Sequence, residues 1–110
     1  MKPEDFVVVL VTAADAEEGT RIGRTLVEER LAACVNVLGP LRSVYRWQGA
    51  VEEAAEHLLL VKARAADLPA LEARVRALHS YQVPEVLALR VTAGSAPYLA
   101  WLAESTARDA

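Results

Sequence analysis

Two patterns of apolar residues alternate along the chain, one typical of strands and one at helical spacing. The segment Phe6–Thr12 is continuously apolar and rich in β-branched residues, which predicts a strand covered on both faces. Apolar residues then recur at helical spacing behind Asp15, which can cap a helix together with Glu18 in an acidic variant of the capping box. This apolar stripe consists of Ile22, Leu26, Val27 and Leu31. The chain is therefore predicted to begin with a strand and an amphipathic helix.

Two glycines, Gly19 and Gly23, lie four residues apart within this predicted helix. Glycine lowers the intrinsic stability of a helix because it has more backbone freedom to lose than other residues. Close packing of the helix against its neighbour is the usual reason to keep such residues. We therefore expect this helix to lie close to the element beneath it.

A long hairpin is predicted for the middle of the chain. Strand-like residues run over Ala33–Leu38, and Gly39–Pro40 bends or bulges the strand rather than ending it. The strand continues as Leu41–Trp47, turns at Gln48–Gly49 and returns as Val51–Arg64. These arms exceed the usual strand length of about 5–6 residues. One small domain cannot cover such a hairpin, so we expect it to need a partner subunit.

The second half of the chain again predicts a helix followed by a strand. Asp67 is placed to cap the helix, whose apolar stripe consists of Leu68, Leu71, Val75 and Leu78. A loop is predicted over His79–Pro84 and a strand over Glu85–Thr92. Ser95 then begins a final helix over Ala96–Ser105.

The predicted order is β-α-β-β-α-β with an additional C-terminal helix. This order is typical of the split βαβ, or ferredoxin-like, α+β fold, in which two helices cover one face of four antiparallel strands. Low-complexity stretches, linkers and charge blocks do not divide the sequence. Residues 1–110 are therefore predicted to form a single domain.

The composition favours partner subunits over nucleic acids or membranes. With 54% hydrophobic residues and a mean hydropathy of +0.19, part of the apolar surface is expected to lie between subunits. A net charge of −3 argues against a nucleic-acid partner. The apolar runs are far shorter than the ~20 residues that span a membrane, and the acidic N-terminal segment does not resemble a signal peptide. With Cys34 as the single cysteine, the chain is predicted to be cytoplasmic.

The loop after the second helix carries the most suggestive chemistry. It places the imidazole of His79, the phenol of Tyr81 and the carboxylate of Glu85 within seven positions. These residues could form a ligand or metal site. Alternatively, His79 interacts with the dipole and last carbonyls of its helix, while Tyr81 packs on a neighbour. Cys34 lies in an apolar strand and is interpreted as a small buried hydrophobe rather than a ligand.

Other candidate residues lie on the predicted hairpin. Tyr45 and Trp47 share one strand face, where aromatic side chains more often anchor a subunit interface than hold a cofactor. Lys62 could help to bind an anion, although scattered cations on a sheet are usually solvated. The sequence contains no recognisable nucleophile–base grouping, phosphate loop or dinucleotide fingerprint. An enzyme is therefore not predicted.

Taken together, the motifs resemble those of the CutA divalent-cation tolerance proteins. They occur in the family's order and spacing and cover almost all of the chain. The matching segments are Val7–Thr12, Leu31–Asn36, Tyr45–Gly49, Leu58–Lys62, His79–Glu85 and Tyr98–Leu102.

This resemblance implies a ferredoxin-like subunit in a tight homotrimer built like the PII signalling proteins, with long strands paired around a threefold axis. It also implies a role in tolerance of divalent metal ions, and some family members bind copper. His79 and Glu85 match the family's loop, whereas Ser80 departs from its usual proline. Val11 and Leu78 stand where some bacterial members have a cysteine and a second histidine.

Three functions remain open at this stage. The first is a non-enzymatic, weak binder of copper or another divalent cation that uses His79 and Glu85. The second is a small-molecule sensor like PII, with a cleft between subunits lined by Tyr45, Trp47, Lys62 and Tyr81. The third is a scaffold in which the loop only closes the trimer.

Overall fold

The computed structural model describes residues 1–108 and confirms the predicted α+β arrangement. Two short 3₁₀ turns, Pro3–Asp5 and Ala65–Asp67, precede a strand and a helix, respectively. The strands are β1 Phe6–Ala13, β2 Cys34–Trp47, β3 Ala50–Arg64 and β4 Leu87–Arg90; the helices are α1 Ala16–Glu28, α2 Leu68–Leu78 and α3 Ala96–Ser105. In the described part of the chain, none of these helices is both long and apolar enough to cross a bilayer.

The four strands form one antiparallel sheet in the order β2-β3-β1-β4. Helices α1 and α2 cover one face, where Ile22, Leu26, Leu71 and Val75 are fully buried against the central strands. The other face, called the open face here, carries mostly apolar residues. They include Val8, Leu10, Leu58, Leu60, Leu87 and Leu89.

The predicted hairpin forms as one continuous pair of strands. A register shift between Leu38 and Leu41 marks the predicted bulge, and a β-carbon at Gly39 would lie 2.8 Å from the ring of His57. Strand β1 pairs with β3 only between His57 and Arg64. Beyond His57, the hairpin extends as a two-stranded ribbon.

Strand β4 is shorter than the predicted Glu85–Thr92. It pairs with β1 only from Val7 to Leu10. Further along β1, the carbonyl of Thr12 contacts the ring of His79 instead of a fourth-strand amide. The length of an edge strand depends on which backbone groups of the neighbouring strand remain free to pair with it. The sequence of the edge strand alone does not contain this information.

Two predicted helix caps differ in detail. Asp15 accepts the predicted hydrogen bond from the amide of Glu18 (2.8 Å), but the Glu18 carboxylate reaches back to the amide of Ala14 rather than Asp15. Asp67 precedes α2 as predicted, yet its side chain makes no capping bond. Its carboxylate accepts hydrogen bonds from Arg108 at 2.6 and 3.1 Å, so a long-range ion pair replaces the cap.

The close helix packing expected from the glycines is present. A β-carbon at Gly19 would lie 2.9 Å from Cδ2 of Leu59 and 3.2 Å from Cγ1 of Val37. One at Gly23 would lie 3.0 Å from Cγ1 of Val35. Both glycines therefore allow α1 to approach the sheet more closely than alanine would.

We predict that Gly19→Ala lowers the free energy of unfolding by about 1–2 kcal/mol, because overpacking of a buried contact outweighs the gain in helix propensity. In a Leu59→Ala background the same methyl group enters vacated space, so it should stabilise the protein there. Thr20→Ala, on the exposed side of the helix, is the control. Denaturant unfolding at one fixed protein concentration measures all variants, and a more stable Gly19→Ala single variant would contradict the packing argument.

Candidate functional site

A cavity of about 610 Å³ lies on the open-face side of the hairpin, beyond the end of β1. Thr12 contributes to it from β1, and the loop after α2 closes another side. Three aromatic and three acidic side chains contribute to its lining: Tyr45, Trp47, Tyr81, Glu52, Glu56 and Glu85. The β2 and β3 residues among them share one face because residues directly opposite in the ladder project to the same side.

Glu18 fixes the beginning of the loop. Its carboxylate accepts hydrogen bonds from the amide of Ala14 at 3.0 Å and from the amide of Ser80 at 2.8 Å. The side chain is only 7% exposed. Burial by itself raises the pKa of Glu18, but these hydrogen bonds and the neighbouring His79 together hold the pKa below its ordinary value of 4.5. The ionised carboxylate thus ties α1 to the loop.

His79 is buried, and both of its ring nitrogens have partners. Nε2 lies 2.6 Å from the carbonyl oxygen of Thr12, which can only accept, so Nε2 carries the proton. Nδ1 accepts from the amide of Tyr81 at 3.0 Å. The ring therefore joins β1 to the loop, rather than contacting the last carbonyls of its own helix. To bind a metal through a lone pair, His79 would have to release the Tyr81 amide or give up its contact with Thr12.

Tyr81 and Glu56 connect the loop to the hairpin. The Tyr81 hydroxyl donates to Oε2 of Glu56 at 2.6 Å, and Glu56 is 7% exposed. Burial, followed by the Glu56 carboxylate, raises the pKa of Tyr81 well above its usual value of 10.0. Burial, followed by the charge on Glu56, likewise raises the pKa of Glu85 above 4.5. The cavity therefore contains negative charge in a partly desolvated setting.

The structure brings four of the six predicted site residues to this cavity: Tyr45, Trp47, Tyr81 and Glu85. His79 lies beneath the loop, whereas Lys62 lies elsewhere on the open face, between Val8 and Cys34, and hydrogen-bonds to Asn36. Lys62 lies six positions along β3 from Glu56, a distance of about 20 Å in a strand. Within one subunit, Lys62 and Cys34 therefore do not contribute to the cavity.

Sequence reasoning missed three acidic residues that shape the site, Glu18, Glu52 and Glu56. The one available signal was that Glu52 and Glu56 alternate in phase with Leu58 and so share its face. Within residues 1–108, no group of three or more His, Cys, Asp and Glu side chains is arranged to hold a metal ion. Any metal bound here by a single subunit would therefore have an open coordination shell.

We predict that Glu18→Gln lowers stability at neutral pH by about 1–2 kcal/mol, because it weakens hydrogen bonds to a buried charge. The folded-state pKa of Glu18 is depressed, so its stabilising effect is complete above about pH 4.5–5 and is lost as the pH falls through the folded pKa. Stability curves against pH should converge for wild type and variant at low pH. Glu17→Gln, an exposed first-turn control, should follow the wild type; parallel curves for Glu18→Gln would refute this role.

A family model, the CutA1 divalent ion tolerance protein, matches residues 7–105. The divalent-cation tolerance protein CutA of Thermus thermophilus is 52% identical over 99 residues, covering 90% of this chain and 96% of that protein. The chloroplastic CutA protein of Arabidopsis thaliana is 46% identical; the match covers 91% of this chain but 55% of that protein. The chain thus spans about half the length of the plant relative.

Solved structures agree with these matches. The divalent cation tolerance protein of Thermus thermophilus superposes with a TM-score of 0.90 at 51% identity, covering 93% of this chain and 99% of that one. CutA from Xylella fastidiosa superposes with a TM-score of 0.91 at 40% identity, covering 94% of this chain and 99% of that one. The order of elements and these matches lead to one conclusion: the chain belongs to the CutA1 family of divalent ion tolerance proteins.

Proposed function

We propose that this protein acts in the cytoplasm as a non-enzymatic homotrimer that binds a divalent cation, with copper as the first candidate. The observation that carries the proposal is that Glu52, Glu56 and Glu85 line one cavity beside the loop that contains His79, which makes the cavity negative although residues 1–108 form no preassembled metal site. The family's role in divalent-cation tolerance supports it.

His79 and Glu85 remain the predicted metal ligands. Nitrogen and carboxylate oxygen donors together suit Cu(II). Glu85 lines the cavity directly, whereas His79 must first exchange one of its hydrogen bonds, which weakens binding by the cost of that exchange. A metal site with these properties would be weak and open in one subunit, and a neighbouring copy could complete it.

We predict that Glu85→Gln and His79→Ala each weaken Cu(II) binding by at least about 10-fold, since loss of a residue that merely supports a ligand already costs about 10–100-fold. Calorimetric titration of the purified protein measures the affinity. His57→Ala tests the other histidine, which lies on β3 opposite Ala13. Glu53→Gln tests a carboxylate on the opposite face of the hairpin. Equal affinity in wild type and His79→Ala would remove His79 from the site, and unchanged affinity in Glu85→Gln would remove Glu85.

The open face of the sheet supports the homotrimer. Leu87 and Leu89 are 59% and 55% exposed, and they continue an apolar surface that includes Leu10 and Leu60 on the neighbouring strands. Helices α1 and α2 lie on the other face, and α3 packs at the Phe6 and Arg64 end, so Leu87 and Leu89 stay exposed in the subunit. A sheet face of this kind is stable in water when another layer packs on it. Copies of the same chain offer an apolar face of matching character.

We predict that Leu89→Lys converts the trimer into monomers at micromolar concentration, because it introduces a charge into the proposed interface. Leu89 is exposed in the subunit, so the fold should tolerate the lysine. Val27→Lys is the matched control, since Val27 is an exposed apolar residue on α1 (39%). Light scattering gives the mass. A monomeric wild type, or a Leu89→Lys variant that stays trimeric, would refute this interface.

The cavity also favours a second function, the sensing of a small molecule. Its volume of about 610 Å³ lies within the usual range for small-molecule sites, about 300–1,000 Å³. Aromatic side chains form part of its walls, and Glu18, His79 and Tyr81 hold the surrounding loop in place. A shaped, partly apolar cavity exceeds what a hydrated metal ion requires.

A further inference from the structure

We propose that the cavity binds a small organic ammonium ion. The proposal deepens the second function above and rests on it, since it names the chemical class of the ligand. It follows from three features of the cavity: the sign of its charge, the burial of Glu56 and the aromatic walls.

The charge of the cavity disfavours anionic ligands within the single subunit. Glu52, Glu56 and Glu85 line it, and among residues 1–108 no Lys, Arg or His side chain does. Arg42 lies on the opposite face of the hairpin, where it forms an ion pair with Glu53 at 3.2 Å. Negative charge within a partly enclosed space attracts cations and repels nucleotides and organic acids.

Glu56 supplies a buried carboxylate that is incompletely paired. Its Oε2 accepts from the Tyr81 hydroxyl, while the described residues provide no hydrogen-bond donor for Oε1. The side chain is 7% exposed and lines the cavity, so solvent reaches Oε1 only from the cavity side, and the neutral Tyr81 hydroxyl brings no opposite charge. A ligand N–H donor or positive charge next to Oε1 would complete the pairing. Glu85 would contribute a second carboxylate from the loop side.

The aromatic walls distinguish an organic cation from a metal ion. Within one subunit, Tyr45 and Trp47 keep 40% and 42% of their surface exposed, and both line the cavity. An alkylammonium group gains from contact with aromatic faces, both through its charge and through its carbon atoms. A divalent metal ion instead requires several oxygen or nitrogen ligands in a tight shell, and the described residues do not group them so.

Calorimetric titration of the assembled protein tests the proposal with two cationic probes, 1,4-diaminobutane and choline, and two anionic probes, 2-oxoglutarate and ATP. At least one cation should bind and neither anion should. Trp47→Ala should weaken cation binding about 5-fold through loss of the cation–π contact, and Trp47→Phe should restore most of it. Glu56→Gln should weaken binding at least about 10-fold through loss of the charge.

Matched controls separate site effects from general ones. Trp101→Ala removes a tryptophan of equal exposure (43%) from α3, and Glu53→Gln removes a hairpin carboxylate from the opposite face. Both should bind the cation like the wild type. Light scattering must return the same mass for every variant compared. Binding of an anion, absence of binding by both cations, or unchanged affinity in Trp47→Ala and Glu56→Gln would each overturn the proposal.

Cu(II) titration of the same variants distinguishes this proposal from the metal function. Trp47→Ala should leave the affinity for Cu(II) unchanged while it lowers the affinity for the ammonium ion. If Cu(II) binds through Glu85 and both ammonium probes fail, the inference falls and the metal function stands. If an ammonium ion binds and the affinity for Cu(II) does not depend on His79 or Glu85, the proposed metal site is refuted and the ammonium site is supported.

Discussion

The pairing of β2 with β3 over nearly their whole length is the constraint on which the other features of this protein depend. Strand β1 supports β3 only as far as His57, and Glu56 is the first residue beyond that support. The sheet therefore steps from three strands to two at this point. The end of β1, the side of the hairpin and the loop after α2 surround the step, and the cavity occupies it. The site's location thus follows from a difference in strand length.

Two buried glutamates hold the loop at this step from opposite sides. Glu18 binds the amide of Ser80 from α1, and Glu56 accepts the hydroxyl of Tyr81 from β3. Burial opposes the ionisation of a carboxylate, whereas hydrogen-bond donors favour it. Glu18 has two backbone donors and its pKa falls, whereas Glu85 has a negative neighbour and its pKa rises. The Glu18 carboxylate is thereby satisfied within the fold, and the Glu85 carboxylate remains available to a ligand.

The sequence predicted most elements of the fold because helix and strand periodicity are local properties. The hairpin, its bulge and the packing of Gly19 could be derived from neighbouring residues alone. Features that depend on distant partners could not. Strand β4 begins later than predicted, where the Thr12 carbonyl of β1 binds His79 instead, and Asp67 binds Arg108, 41 residues away. In both cases, a tertiary contact replaced the interaction that the local pattern favoured.

The site was only partly predictable for the same reason. The loop from His79 to Glu85 stood out because its polar residues are close in sequence. Glu56 did not, because its partner Tyr81 lies 25 residues away and only the fold brings them together. Lys62 shares a strand with Glu56 but lies about 20 Å along it, so it does not line the cavity within one subunit, and its place in a cleft between subunits stays a prediction.

The cavity and the apolar open face lie on the same side of the sheet, and this relates ligand binding to assembly. Thr12 lines the cavity and pairs with Leu58, whose row continues into the apolar surface of Leu10 and Leu60. A copy of the chain that covers this surface must therefore approach the rim of the cavity. Its side chains would then complete or restrict the site, and burial by the copy would further raise the cost of leaving Glu56 incompletely paired. Assembly would in this way strengthen the attraction of a cation that the three carboxylates of the single subunit provide.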